Sequence, residues 1–192
     1  SQVNKAASKA NRFLGLLKST FVNRDARTWK KLYTVYVRPH VEFAISAWSP
    51  YLHKDVSTLE KVQRRATKFI HECKGLRYVE RCNKLKLTLL EERRIRGDLI
   101  QFFKITKDID EVEWFSPLMV APNGRRSQLR REIVRGCNQR HNFFTNRTIN
   151  IWNRLPANII NAQSVNQFKN LLDSNWNAAR SEEHTSELQS RQ

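Results

Sequence analysis

Arginine is concentrated in residues 124–154, where its chemistry suits the binding of phosphate. These 31 residues hold eight arginines, one acid (Glu132) and no lysine, a net charge of +7. A guanidinium group donates two parallel hydrogen bonds to phosphate oxygens, so a cluster with so few balancing acids favours contact with a nucleic-acid backbone over an ordinary solvated surface. The predicted phosphate ligands are Arg125, Arg126, Arg130, Arg131, Arg135 and Arg140, and the remaining two arginines are Arg147 and Arg154.

Aromatic side chains lie beside these arginines. His141, Phe143 and Phe144 have the ring faces on which unpaired bases stack. The alternative is that the two phenylalanines belong to the hydrophobic core. Their place in an apolar helical pattern favours the core for both.

A second basic group occurs earlier in the chain, at Lys61, Arg64, Arg65 and Lys68. Spacings of three and four residues place these cations on one face of a helix, which suits contact with one strand of a duplex. A solvated charged face is an equal alternative, because Glu60 and Glu72 are near in sequence. The group is therefore a candidate nucleic-acid contact.

Carboxylates that hold two metal ions, as polymerases require, have no suitable setting in this sequence. The adjacent acids Glu91 and Glu92 suit a helix start, and residues 108–113 are typical of a solvated acidic loop. The sequence contains no aromatic-x-Asp-Asp motif, P-loop or nucleophile elbow. We expect no catalytic residue and no cofactor in this chain.

The three cysteines, Cys73, Cys82 and Cys137, do not form a metal-binding pattern. Cys137 and His141 are four residues apart, and no C-x2-C pair exists to form a zinc knuckle. A sparse, odd number of cysteines argues against a disulfide framework and fits a reducing compartment. We expect buried free thiols, no metal site, and a nuclear or cytoplasmic location rather than secretion.

Charge is the strongest global feature, with 35 Lys and Arg against 18 Asp and Glu, a net charge of +17. Such an excess calls for an anionic partner, either nucleic acid or a membrane surface. No apolar run is long enough to span a bilayer, so RNA and DNA are the expected partners. Residues 180–190 (RSEEHTSELQS) resemble a translated sequencing adapter, and without residues 181–192 the net charge is +19.

Apolar spacing predicts a mainly α-helical chain. An apolar seam runs along residues 3–21, and a broad apolar stripe over residues 29–48 is interrupted by Pro39, which should kink or break that helix. A third helix is expected to end at Gly75. Short helices are expected at residues 79–85 and 142–153, and an irregular hairpin at residues 128–137.

Helix starts are also readable from the sequence. Asn23 and Asp25 are both candidate N-caps of the second helix. Capping boxes are predicted where Ser or Thr precedes Glu or Gln by three residues. These pairs are Ser57 with Glu60, Thr88 with Glu91, and Ser164 with Gln167.

Several spaced motifs together resemble one family. Residues 32–44 (LYTVYVRPHVEFA), followed by WSP at residues 48–50, are similar to a stretch of jockey-like, LINE-type non-LTR retrotransposon polyproteins that follows the reverse transcriptase core. The resemblance covers nearly all of residues 3–176. It is supported by residues 5–21 (KAASKANRFLGLLKSTF), 60–68 (EKVQRRATK), 91–97 (EERRIRG), 142–156 (NFFTNRTINIWNRLP) and 164–169 (SVNQFK).

The resemblance implies a fragment of an RNA-directed DNA polymerase that grips template and primer. The family's catalytic aspartates lie upstream, so no catalytic residue carries over; the parent core would use Mg²⁺. Expected segments are a helix leading from the missing core (1–21), a thumb-like helical bundle (22–110), a linker (111–122), a basic α-rich C-terminal region (123–179) and an adapter-derived tail (180–192). The alternative is a stand-alone helical interaction module whose seam at residues 3–21 docks a partner helix. In the family, that seam would dock on the missing core.

Overall fold

A computed structural model describes residues 1–113, 119–120 and 128–189 and confirms a mainly α-helical fold. The chain divides into two compact units, Ser1–Gly97 and Asp98–Gln192. Within the described residues, no helix is long and apolar enough to cross a membrane. The helices are α1 (Gln2–Thr20), α2 (Ala26–Leu32), α3 (Arg38–Glu42), α4 (His53–Lys68), α5 (Tyr78–Leu85), α6 (Leu90–Thr106), α7 (Asn138–His141), α8 (Phe144–Trp152), α9 (Ala157–Ile160) and α10 (Val165–Gln189), and the strands are β1 (Met119–Val120) and β2 (Leu129–Arg130).

The boundary between the units falls inside α6. The domain limits expected from the sequence, at residues 21, 110 and 122, stay predictions. The adapter-like string does not interrupt α10, which continues to Gln189.

The apolar seam of α1 forms part of the core of the first unit. The helix packs against α4 and α3, and Leu14 and Ala10 are almost completely buried. The expectation that this seam docks a partner helix or a missing core is therefore wrong, because the unit's own helices cover it. Phe21, the last residue of the predicted seam, is 37% exposed and ends α1 as its C-cap.

Pro39 changes the helix in the predicted place. The residues before it form a π-helical turn, Tyr33–Val37, in which the Arg38 N–H donates to the Tyr33 carbonyl five residues back. Pro39 then stands in the first turn of α3, where its missing N–H costs no helical hydrogen bond. The predicted interruption is thus confirmed as a π-helical turn.

Two of the predicted capping boxes are wrong for a tertiary reason. α4 begins at His53, four residues before Ser57. The Glu60 carboxylate accepts hydrogen bonds from the Tyr78 hydroxyl and, at 3.0 Å, from the Leu90 N–H. A carboxylate of α4 therefore caps the start of α6, which begins two residues after Thr88.

The Asp25 cap is confirmed. Of the third capping box the Ser164 half is confirmed, whereas the Gln167 side chain accepts from the Gln163 N–H rather than from the Ser164 N–H. Asp25 Oδ1 accepts from the Thr28 N–H at 2.9 Å, and Ser164 Oγ accepts from the Gln167 N–H at 3.2 Å. By contrast, α4 ends at Lys68 rather than at Gly75, because a 3-10 turn at His71–Cys73 follows it.

The second unit is built around stacked aromatic rings. Phe103 stacks on Phe168 with ring centroids 4.4 Å apart, and Trp152 lies 5.0 Å from Phe102. These contacts hold the end of α6 against α8 and α10. The four rings are 4% exposed or less, so they supply the core.

The predicted hairpin within residues 128–137 is wrong in its pairing. β2 pairs antiparallel with β1, with Val120 opposite Leu129. The Asn153 side chain accepts from the Leu129 N–H at 3.1 Å and donates to the Leu129 carbonyl at 2.8 Å. The Glu132 N–H donates to the Asn146 side chain. Asn146 in α8 and Asn153 just after it thus hold residues 129–132 in place by hydrogen bonds to their backbone.

Candidate nucleic-acid interface

Positive charge is distributed unequally between the two units. The first unit holds 22 Lys and Arg against 8 Asp and Glu, a net charge of +14. The second holds 13 against 10, a net charge of +3, because acids elsewhere in it offset much of the arginine segment. The first unit is therefore the main electrostatic attractor for a polyanion.

Four cations of the first unit lie together on α4. Lys61, Arg64, Arg65 and Lys68 are all exposed and occupy an arc of about 100° around the helix axis. The opposite side of α4 is buried, with Leu59, Val62 and Ala66 at 1% exposure or less. We call these four residues the α4 basic face. The sequence predicted it correctly, because helical spacing alone fixes which residues share a face.

The acids expected to balance this face have other partners. Burial raises the pKa of Glu60, whose carboxylate caps α6 instead. Glu72 accepts a hydrogen bond from the Ala26 N–H at 3.0 Å, at the start of α2. In the described part of the chain, no carboxylate lies within ion-pairing distance of the α4 basic face. Its positive charge is thus uncompensated locally.

Two further cations meet at the end of α4. Lys18 Nζ lies 5.1 Å and Arg24 Cζ lies 6.0 Å from the centroid of the Phe69 ring, which follows Lys68. Both cations converge on one ring, and among the described residues neither forms an ion pair. Sequence reasoning missed Lys18 and Arg24, because they come from α1 and the turn after it.

The arginines of residues 124–154, the arginine segment, differ in whether their side chains are bound by other residues. Arg130 and Arg135 are exposed, and over the described ranges their side chains have no hydrogen-bond or ion-pair partner. Arg131 instead donates to His141, with Nη2 2.6 Å from Nε2. Arg125 and Arg126 lie outside the described residues.

Two arginines of the segment are neutralised within the second unit. Arg140 forms a two-bond ion pair with Glu132, at 2.9 and 3.3 Å. Arg147 forms one with Asp98, at 2.8 and 2.9 Å. Arg140, a predicted phosphate ligand, is thus paired with the only acid of the segment, and its contact with phosphate stays a prediction.

The two adjacent phenylalanines have different environments. Phe144 is 5% exposed and belongs to the core, as predicted. Phe143 is 44% exposed, so the prediction that it is buried is wrong. Phe143 is the N-cap of α8, in extended backbone, and so does not share the buried helical face.

The cysteines and acids of the described residues do not cluster as metal ligands. Among the described residues, no three His, Cys, Asp or Glu side chains are grouped to hold a metal ion. Cys73 and Cys82 are buried free thiols, and burial raises the pKa of both. Cys137 is exposed, contrary to prediction, because it precedes α7, a helix with no buried residue.

The geometry of the first unit suits contact with a chain of phosphates, which requires several adjacent, unpaired cations. No protein-family model, curated protein or solved structure matches this chain. The function is therefore inferred from the α4 basic face together with the motif resemblance.

Proposed function

We propose that this chain is a nucleic-acid-binding part of a retrotransposon reverse transcriptase and contacts the template–primer backbone through the α4 basic face. The motif resemblance supports the family, and the unequal distribution of charge supports the first unit as the main binding unit. The chain acts as a thumb-like clamp on RNA and DNA, next to a catalytic core supplied by the same polyprotein.

One observation carries the proposal: four exposed cations share one helix face without a balancing carboxylate in the described residues. From Lys61 to Lys68 the helix rises about 10 Å. Phosphates of one DNA strand wind around the duplex and lie farther apart in space than their axial rise of about 3.4 Å, so a face of this length meets about two or three of them. Neutralising these phosphates releases counterions, which is the main source of backbone affinity.

Salt dependence of binding tests the proposal. The full chain and a variant with Lys61, Arg64, Arg65 and Lys68 all changed to Gln are titrated with a labelled primer–template at rising salt concentration. Each lost phosphate contact flattens the log–log slope by about 0.9 on a duplex and about 0.7 on a single strand. The variant should therefore flatten the slope by roughly 1.8 to 2.7 on the duplex, the values for two and three contacts.

A matched control removes the same charge elsewhere. Lys5, Lys9, Lys31 and Lys74 are exposed and lie outside α4 in the first unit. Their replacement by Gln should change the slope much less. Equal flattening by both variants would show diffuse attraction without an α4 site. Absence of binding at low salt would refute nucleic-acid binding altogether.

We also propose that the chain has no polymerase activity by itself. The family's catalytic aspartates have no counterpart among these residues, and the Mg²⁺ ions would be held by the core. A primer-extension assay on the isolated chain with Mg²⁺ should give no product, and template-dependent extension would refute this part of the proposal.

The alternative function is a helical protein-interaction module. It no longer rests on the α1 seam, but Val35, Tyr36 and Phe43 are 61%, 51% and 72% exposed around α3. Sedimentation of the chain without nucleic acid distinguishes the two functions. A stable oligomer that is lost on changing Phe43→Ser would favour the module.

A further inference from the structure

An exposed aromatic ring stands at the start of α8. Phe143 keeps 44% of its surface exposed, whereas the next residue, Phe144, is 5% exposed. Phe143 precedes the first helical turn with φ −62° and ψ 156°.

The guanidinium of Arg140 lies over the Phe143 ring, 5.6 Å from its centroid. The ion pair with Glu132 holds this guanidinium by two hydrogen bonds. The ion pair is partly exposed, with 36% of the Arg140 side chain and 45% of the Glu132 side chain accessible, and its guanidinium lies beside the ring. The charge of Arg140 is balanced by Glu132.

A second ring, His141, is exposed two residues earlier and is also held. Arg131 Nη2 donates to His141 Nε2 at 2.6 Å and to the His141 carbonyl at 3.3 Å. An arginine is always a donor, so the imidazole accepts at Nε2 in this arrangement. The imidazole and the Arg131 guanidinium thus form one connected polar surface.

A buried amide connects the two segments that carry these side chains. Asn146 is 1% exposed; it accepts from the Glu132 N–H at 3.1 Å and donates to the Arg140 carbonyl at 3.0 Å. Glu132 and Arg140 are therefore held both by their ion pair and by Asn146. Such preorganisation lowers the entropy lost when a flat ligand binds.

We propose that Phe143 and His141 form a stacking site for an unpaired nucleobase of a single-stranded nucleic acid. The inference rests on the proposed nucleic-acid function and adds a site in the second unit that accepts single strands. Residues 128–143 carry four arginines against one acid, so phosphates flanking the base meet a net positive surface. Exposed Arg130 and Arg135 are the side chains available to those phosphates.

Binding of a single-stranded oligodeoxynucleotide that contains one 2-aminopurine tests the site, because stacking on an aromatic ring quenches this fluorescent base. The full chain is compared with Phe143→Ala, Phe143→Leu and Phe143→Trp. Loss of one stacked base should weaken single-strand binding by about 5- to 150-fold in the Ala and Leu variants. The Trp variant should keep both affinity and quenching, since it keeps a ring face.

Three outcomes would overturn the inference. The Ala variant could bind and quench as the wild type does, or the Leu variant could match the wild type, which would show apolar contact without stacking. Competition by free deoxyadenosine monophosphate as strong as that by the oligonucleotide would show that the base is bound without its strand. Equal melting temperatures of the variants, expected for an exposed position, verify that each one is folded.

The same experiment separates this inference from the proposed function. Binding to a blunt duplex should depend on the α4 basic face and be unchanged in the Phe143 variants. If the α4 variant weakens duplex binding while Phe143→Ala has no effect on single strands, only the stacking site is refuted. If neither substitution affects any nucleic acid, both proposals fail.

Discussion

Replacing Arg147 by methionine tests whether this arginine stabilises the fold or binds phosphate. In the sequence it lies in the same arginine-rich segment as the predicted phosphate ligands. The Arg147 guanidinium binds Asp98 through two hydrogen bonds of 2.8 and 2.9 Å, and a third reaches the Asn142 carbonyl at 3.3 Å. The Arg147 side chain is 18% exposed and the Asp98 side chain is 8% exposed. The pair therefore lies largely out of water, where replacing Arg147 removes two charge-assisted hydrogen bonds from the Asp98 carboxylate.

The expected loss of stability is large. Breaking a buried ion pair by removing one partner costs about 3–5 kcal/mol. Domains of this size have a free energy of unfolding of roughly 5–15 kcal/mol. Arg147→Met should therefore remove a substantial part of the stability of the second unit, with a fall in its melting temperature of more than about 10 °C.

Urea unfolding of the full chain, followed by circular dichroism and tryptophan fluorescence, measures this change. Arg154→Met is the matched control, since Arg154 is exposed in the same segment. Its effect should stay within about 0.5 kcal/mol. The double variant Arg147→Met with Asp98→Leu should recover much of the loss, because it removes both charges together.

A small effect of Arg147→Met, equal to that of Arg154→Met, would refute the structural role. So would a double variant less stable than either single variant. Under conditions where Arg147→Met is folded, its salt slope for nucleic-acid binding should match that of the wild type. A flatter slope for the variant would instead indicate that Arg147 contacts phosphate.

Two further predictions concern the first unit. Burial raises the pKa of Glu60, so the native state binds the proton of this carboxyl more tightly than the unfolded state does. The stabilisation that results is complete at a pH below 4.5, the ordinary pKa of glutamate. It is lost as the pH rises through the pKa of Glu60 in the native state. Urea unfolding is measured for the wild type and for Glu60→Gln, which cannot titrate, from acidic to neutral pH. The free energy of unfolding of the wild type should fall relative to that of the variant as the pH rises. A difference between the two free energies that does not change with pH would contradict this prediction. Lys86 has φ 50° and ψ 49° after α5, where glycine fits without strain. Lys86→Gly should raise the free energy of unfolding by up to about 1 kcal/mol, whereas a similar gain from Lys86→Ala would exclude backbone strain as the cause.

Features governed by neighbouring residues were predictable from the sequence. The α1 seam, the Asp25 and Ser164 caps and the α4 basic face all follow from spacings of three and four residues. The capping role assigned to Glu60 was not predictable. Its spacing from Ser57 matches a capping box, yet its carboxylate binds Leu90, 30 residues further along the chain. A local sequence pattern shows which side chains are able to cap a helix. Which helix each of them caps depends on tertiary contacts.

The helical class, the excess of positive charge and the set of cations on the surface of α4 follow from the amino-acid sequence. Which arginines are free depends on the fold, because Arg147 meets a carboxylate 49 residues earlier in the chain, a distance that no local period encodes. The fold also decides that Phe143 is exposed beside a buried Phe144, since α8 begins between them. Helical spacing is set by the backbone repeat, but charge compensation and burial depend on which distant segments the chain brings together.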